Sequence, residues 1–212
     1  MSEINFAQGL VAFAVLLFSL TVHELAHAWT ADRLGDPTAR LFGRVSFNPM
    51  MHADPIGTLL FPLLAAMTGA PLIGWAKPVP VDVRRLGSPR RDYVLVAAAG
   101  PSSNLLLAVG AALAVHLAPV PPLFSSPTLA VWTVVLLERA VQLNVLLAVF
   151  NMIPIPPLDG GTVLAGLLPG RLADSFHLLR PYGFLLLCAL MFTGHLQDLV
   201  APPYRLLVSW LP

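Results

Sequence analysis

Between residues 4 and 31 the chain is apolar for more than the length of a membrane span, and the only ionisable side chains inside it are His23, Glu24 and His27. About 20 apolar residues cross a bilayer core as a helix. Lipid offers no partner for bare peptide groups, so an isolated span of this kind must be helical. Four residues apart on a helix, His23 and His27 lie one turn apart on the same face, where both imidazoles can reach one metal ion. Glu24 stands beside them, placed to take a proton from water held by that metal. The bland alternative is a chance H-E-x-x-H whose side chains satisfy one another. Three such groups cost too much in a membrane for that to be the better reading.

The rest of the chain is of the same kind. Of its 212 residues 57% are hydrophobic and 11% charged, against about 25% charged in a soluble domain. The expected architecture is an all-α polytopic membrane protein. It is a bundle of about four to six transmembrane or re-entrant helices with a small extended or β element near the active site, forming a single domain over 1–212. A net charge of +1 gives no case for nucleic-acid binding. The one cysteine, Cys188, excludes an internal disulfide and a cysteine-based zinc site, and reads as a small apolar residue in a helix. Met1-Ser2-Glu3 carries no basic n-region, so the first apolar segment is expected to be retained rather than cleaved as a signal peptide.

Spans are expected at about 4–31, 92–117, 128–153 and 178–195. Gly35 and Pro37 close the first. Segment 55–76 is apolar but broken by Pro62, Gly69, Pro71 and Gly74, which suits re-entry rather than crossing. The stretch from Lys77 to Val83, with Pro78 and Pro80, suggests short extended strands at a sheet edge. The tail after residue 196 is apolar and is expected at the membrane interface.

Charge sets the orientation. Arg33, Arg40 and Arg44 follow the first span, and Lys77, Arg84, Arg85, Arg90 and Arg91 follow the broken segment. With segment 55–76 re-entrant, both basic loops fall on one side, the cytoplasmic one. The H-E-x-x-H motif then lies roughly 10–15 Å inside that boundary at 1.5 Å per residue. The chain is expected to be a multi-pass protein of the cell membrane.

Two histidines do not complete a catalytic zinc site, which takes three protein ligands and an open position. No glutamate occurs between Glu24 and Glu138, so a ligand some twenty residues on is absent. Asp159, Glu138, Asp54 and His52 are the candidates. Asp159 leads, because it follows Pro154-Ile155-Pro156-Pro157, where an open backbone can aim a carboxylate back into the bundle. Its position before Gly160-Gly161-Thr162 suits a helix N-cap equally well, and spacing alone leaves the two readings level.

His23-Glu24-Leu25-Ala26-His27 in one span and Asn151-Met152-Ile153-Pro154-Ile155-Pro156-Pro157-Leu158-Asp159-Gly160 after a later one resemble the site-2 protease family, the intramembrane zinc metalloproteases of peptidase family M50. Ala99-Gly100-Pro101-Ser102-Ser103-Asn104 resembles that family's middle core helix. The resemblance covers most of the chain, and two distant motifs in the right order are far more specific than either alone. It implies one Zn2+ per chain, Asp159 as third ligand beside His23 and His27, and Glu24 as catalytic base. It also implies a membrane-protein substrate reached within the lipid bilayer. PDZ and CBS modules are lacking, the arginine that often follows D-G-G is Thr162, and segment 55–76 is added. His52-Ala53-Asp54-Pro55-Ile56-Gly57-Thr58 and Gly74-Trp75-Ala76-Lys77-Pro78-Val79-Pro80 resemble a compact branch of the family.

The mechanism expected is hydrolysis of a peptide bond by zinc-activated water, with Glu24 passing the proton to the leaving amine. Asn151 is the candidate oxyanion or substrate donor, and Asn144, two turns earlier, a weaker one. Interhelical hydrogen bonding is the structural alternative for both. Gly100-Pro101 reads as a close-packing element, and His52 as a loop residue or a gate. The Lys77–Val83 stretch could pair with an unwound substrate by strand addition. Two other functions stay open. One is a catalytically silent membrane protein that binds metal or clients. The other is a metal-ion transporter, which would need polar residues along the outer half of the bundle.

Overall fold

A computed structural model describes residues 3–61, 64, 75–117 and 126–211. The chain forms α1 (Glu3–Arg33), a single turn α2 (Thr38–Leu41), α3 (Pro89–Leu117), α4 (Pro127–Asn151), α5 (Asp159–Leu167), α6 (Gly170–His177), α7 (Gly183–Phe192) and α8 (His195–Trp210). Among the described residues three helices are long and apolar enough to cross a membrane, Ala7–Arg33, Pro89–Leu117 and Thr128–Asn151, or four if a bent pair near the C-terminus counts as one span. They pack on one another as the central bundle, α3 lying against α1, α4 and α5.

The ends of these helices follow from local chemistry. Beyond α1, Asp36 N–H donates to Ala31 O at 2.9 Å and Gly35 N–H to Asp32 O at 3.3 Å. This is a Schellman closure, and it needs Gly35 in the left-handed region, at φ 109°. Arg33 lies 5.1 Å above the Trp29 ring, a cation on an aromatic at the end of the span. Pro89 occupies the first turn of α3, and the Asp92 carboxylate accepts from Ser88 N–H at 2.6 Å.

The loop between α1 and α3 is tied down by buried polar groups. Asp36, fully buried, accepts from Thr38 N–H at 3.0 Å and Asp82 N–H at 2.7 Å. Buried Arg44 donates to Met51 O and to Lys77 O. Lys77 N–H donates to His52 O at 2.8 Å, and Trp75 N–H to Gly57 O at 3.3 Å. The Thr58 hydroxyl donates to Trp75 O at 2.8 Å. The two ends of segment 55–76 are therefore bound to each other, while residues 62, 63 and 65–74 lie outside the described set.

Two expectations need correction. No strand forms among the described residues, and 75–82 is irregular backbone. Pro78 and Pro80 have no N–H to give to a ladder. The Lys77 and Asp82 N–H groups at its ends are already bound to His52 O and the Asp36 carboxylate. The span expected at 178–195 is shorter: its helical run ends at Phe192, and the helix His195–Trp210 follows as the second member of a broken pair. The helices on either side of the break at Gly194, which takes φ 82°, bend by 85°. The apolar tail packs one face on the bundle. Val200, Tyr204, Leu207, Val208 and Leu211, on one helical face, cover Ala108 of α3 and Val145 and Val149 of α4.

Candidate metal centre

Two faces of helical spacing meet at the site. Along α1 run Ser19, His23 and His27, each one turn from the next; along α3, antiparallel to it, run Val96, Gly100 and Asn104. His27 Nδ1 lies 2.7 Å from Val96 O and His23 Nδ1 lies 2.6 Å from Asn104 Oδ1. A carbonyl oxygen only accepts, so His27 Nδ1–H donates to Val96 and its Nε2 keeps the lone pair. Between these contacts Gly100 leaves a gap. A Cβ there would fall 2.6 Å from His23 Nε2 and closer still to His27 Nε2.

The third group comes from α5. Pro154, Pro156 and Pro157 end α4 at Asn151 and the chain turns before restarting at Asp159. Gly160 and Gly161 are buried against the backbone of Met152 and of Ile155–Pro156, where no side chain fits. That packing brings Asp159 onto the histidines. Its Oδ2 lies 3.1 Å from His23 Nε2 and 3.4 Å from His27 Nε2, and the two Nε2 atoms are 3.0 Å apart. Asp159 is the first residue of α5, and no side-chain cap bond forms at that helix start, so the capping role is not taken up.

This triangle fits zinc. Ligands about 2.05 Å from a tetrahedral ion are about 3.3 Å from one another. His23 and His27 are buried, and Asp159 Oδ2 is buried with no hydrogen-bond partner. Carboxylate and neutral imidazole are suitable zinc donors. The remaining candidates are committed elsewhere. The Asp54 carboxylate caps the helical turn Pro55–Leu60, accepting from Ile56 N–H and Gly57 N–H. His52 Nε2 lies 2.9 Å from Ser46 O. Glu138 is exposed on α4, and Arg139 beside it donates to Gln142. Among the described residues, His23, His27 and Asp159 are the one cluster able to hold a metal ion.

Glu24 is half-buried on α1 next to His23, and no hydrogen bond or ion pair among the described residues engages its carboxylate. Asn151 donates to Leu147 O at 2.9 Å, one turn back in its own helix. Asn144 donates to Ala140 O and accepts from Asn104, an interhelical role. Sequence reasoning missed Gly100 as a site element and Asn104 as a partner of His23. The signal was present in the four-residue spacing of Val96, Gly100 and Asn104, which matches that of His23 and His27.

Among the described residues three apolar helices surround a His2Asp cluster, the make-up of a polytopic membrane metalloprotein. The chain belongs to Peptidase family M50, the site-2 protease family of metalloproteases, with zinc as its metal. The family profile matches residues 11–135 and 123–190. The chain is 39% identical over 182 residues to "Putative zinc metalloprotease YwhC" of Bacillus subtilis, covering 84% of this chain and 78% of that protein. It is 31% identical over 190 residues to "Putative zinc metalloprotease Rip2" of Mycolicibacterium smegmatis, covering 89% and 69%. The Rip2 protein of Mycobacterium tuberculosis is 36% identical over 149 residues, 70% of this chain and 53% of that protein. No solved structure matches the chain significantly.

Proposed function

We propose that the protein is an intramembrane endopeptidase. It hydrolyses a peptide bond in a transmembrane or membrane-anchored protein, with His23, His27 and Asp159 as zinc ligands and Glu24 as general base. One observation carries this reading. Three acceptor atoms, His23 Nε2, His27 Nε2 and Asp159 Oδ2, converge at 3.0, 3.1 and 3.4 Å, a spacing that suits a cation among them. Zinc, when bound, supplies a Lewis acid and lowers the pKa of water to about 7. Glu24 takes the proton of the attacking water, a role that its uncommitted carboxylate supports. Once the carbonyl carbon has gained the new C–O bond, Glu24 returns the proton to the departing amine as the C–N bond breaks. Asn151 has a second amide hydrogen beyond the one given to Leu147, and we assign that hydrogen to the oxyanion or to substrate backbone.

The bound ends of segment 55–76 support both basic loops lying on one side, which the charge rule makes cytoplasmic. His27 and His23 stand six and ten residues before Arg33, so cleavage falls about 9–15 Å inside that boundary of the cell membrane. The test is cleavage of a model transmembrane substrate by the wild type and by Glu24→Gln, with zinc measured in both. The wild type is expected to cut and Glu24→Gln to retain zinc without cutting. Equal cutting by both, or no cutting by either with one zinc per chain, defeats the reading.

A further inference from the structure

We propose that Asn104, oriented by Asn144, is a positioning residue that fixes the tautomer of His23 and so tunes zinc affinity. This rests on His23 being a zinc ligand. The direction of the chain of hydrogen bonds is set at its far end by a group that can only accept. Asn144 Nδ2 donates to Ala140 O at 2.8 Å, which turns the Asn144 carbonyl towards α3. Asn104 Nδ2 donates to that Asn144 Oδ1, also at 2.8 Å. Asn104 Oδ1 is thereby left facing His23 Nδ1 at 2.6 Å. An acceptor at that distance requires the proton on Nδ1, so the lone pair sits on Nε2, which faces Asp159 Oδ2 and His27 Nε2.

The three side chains are almost wholly inaccessible: Asn104 is 0% exposed, Asn144 2% and His23 3%. Water therefore does not compete for these bonds, and the amides cannot turn over without leaving buried polar groups unpaired. The second histidine reaches the same state by a different route, through the backbone carbonyl of Val96. Only the His23 arm depends on side chains, and only that arm can be changed by substitution. Removing the outer partner of a metal-bound histidine typically weakens metal binding about 10- to 100-fold.

The experiment uses the full chain in detergent. Zinc affinity is measured by competition with a chromophoric chelator, and unfolding of the zinc-free protein is followed in parallel. Asn104→Leu, close in size but without an acceptor, is expected to weaken zinc binding about 10- to 100-fold. Asn104→Asp keeps an oxygen for His23 Nδ1–H and is expected to stay within a few-fold of wild type, even though its carboxylate faces Asn144 Oδ1 and lowers the melting temperature. A purely structural amide predicts the reverse order of merit: Asn104→Asp would do no better than Asn104→Leu, and affinity would follow stability. Wild-type affinity in Asn104→Leu, or equal weakening in the two variants, overturns the proposal. Should Asn104→Leu fail to fold, Asn104→Asp decides alone, since a folded protein with zinc affinity lost is equally fatal. His23→Ala separates the two levels of inference. If it binds zinc as tightly as wild type, the ligand assignment has failed. If it loses zinc while Asn104→Leu does not, only the positioning role has.

Discussion

Replacing Gly100 by alanine adds one methyl group to a membrane helix and, from the structure, should dismantle the metal centre. The new Cβ would stand 2.6 Å from His23 Nε2 and His23 Cε1, and closer to His27 Nε2. Ordinary carbon contacts begin near about 3.5 Å, so each ring must retreat by about 1 Å. Zinc ligands tolerate shifts of about 0.2 Å. Neither ring has room to move as it is, because each Nδ1 is held by α3 at 2.6 or 2.7 Å. A misplacement of about 1 Å costs on the order of 100-fold in rate, and zinc binding should fall by at least a similar factor. Helix propensity acts the other way, since alanine favours a helix interior over glycine by about 1 kcal/mol. Gly100→Ala is thus expected to stay folded while losing zinc and cleavage together. Gly110, in the same helix with nothing within 4 Å of its missing Cβ, is the control. Gly110→Ala should match or exceed wild-type stability with zinc unchanged. Zinc content and chelator competition on the two purified variants decide the matter. A Gly100→Ala protein that holds one zinc with wild-type affinity would refute the packing of α3 against the histidine pair.

Other outcomes follow from the same geometry. Asp159→Ala should abolish tight zinc binding while changing the stability of the zinc-free protein little, because Asp159 makes no cap bond at α5; a large drop in zinc-free melting temperature would favour a structural role. Asp36→Ala should destabilise the fold by about 1.5–3 kcal/mol, since Thr38 and Asp82 lose a buried charged acceptor; unchanged denaturant unfolding would contradict this. The hydrogen bond from Arg84 holds the Asp82 carboxyl down at about 2. Its folded value lies below its unfolded one, so the pairing is fully present above about pH 4 and is lost only as pH falls through about 2. Arg84→Gln should move the Asp82 titration up towards its ordinary value in an NMR pH series, and an unmoved titration would show that Arg84 is not the cause.

Much of this protein was legible along the chain. The apolar lengths placed α1, α3 and α4, because lipid forces any such stretch to satisfy its own backbone as a helix. The four-residue spacing of His23 and His27 put two imidazoles on one helical face, since the turn of a helix is local geometry. The broken final segment was less legible. Residues 178–195 have the composition of a span, but the helical run stops at Phe192 and the next helix, His195–Trp210, leaves at 85° to it, and composition says nothing of a bend. Nor could it say that the apolar tail has a partner. Val200, Tyr204 and Leu207 cover Ala108, Val145 and Val149 because the bundle leaves that face open.

The sequence by itself determined a membrane helix bundle with one half of a zinc site, for each of those is written in short-range pattern. Spacing alone left Asp159 balanced between ligand and helix cap, with only the two-motif resemblance favouring the ligand, and Gly100 looked like a packing residue. Gly100 lies 73 residues beyond His27 and Asp159 lies 136 beyond His23, and no local pattern reaches that far. Only the tertiary structure shows where these groups lie relative to the histidines. Gly160 and Gly161 let α5 close against the turn before it, and Gly100 lets α3 approach the histidine rings, so three atoms able to hold a metal meet.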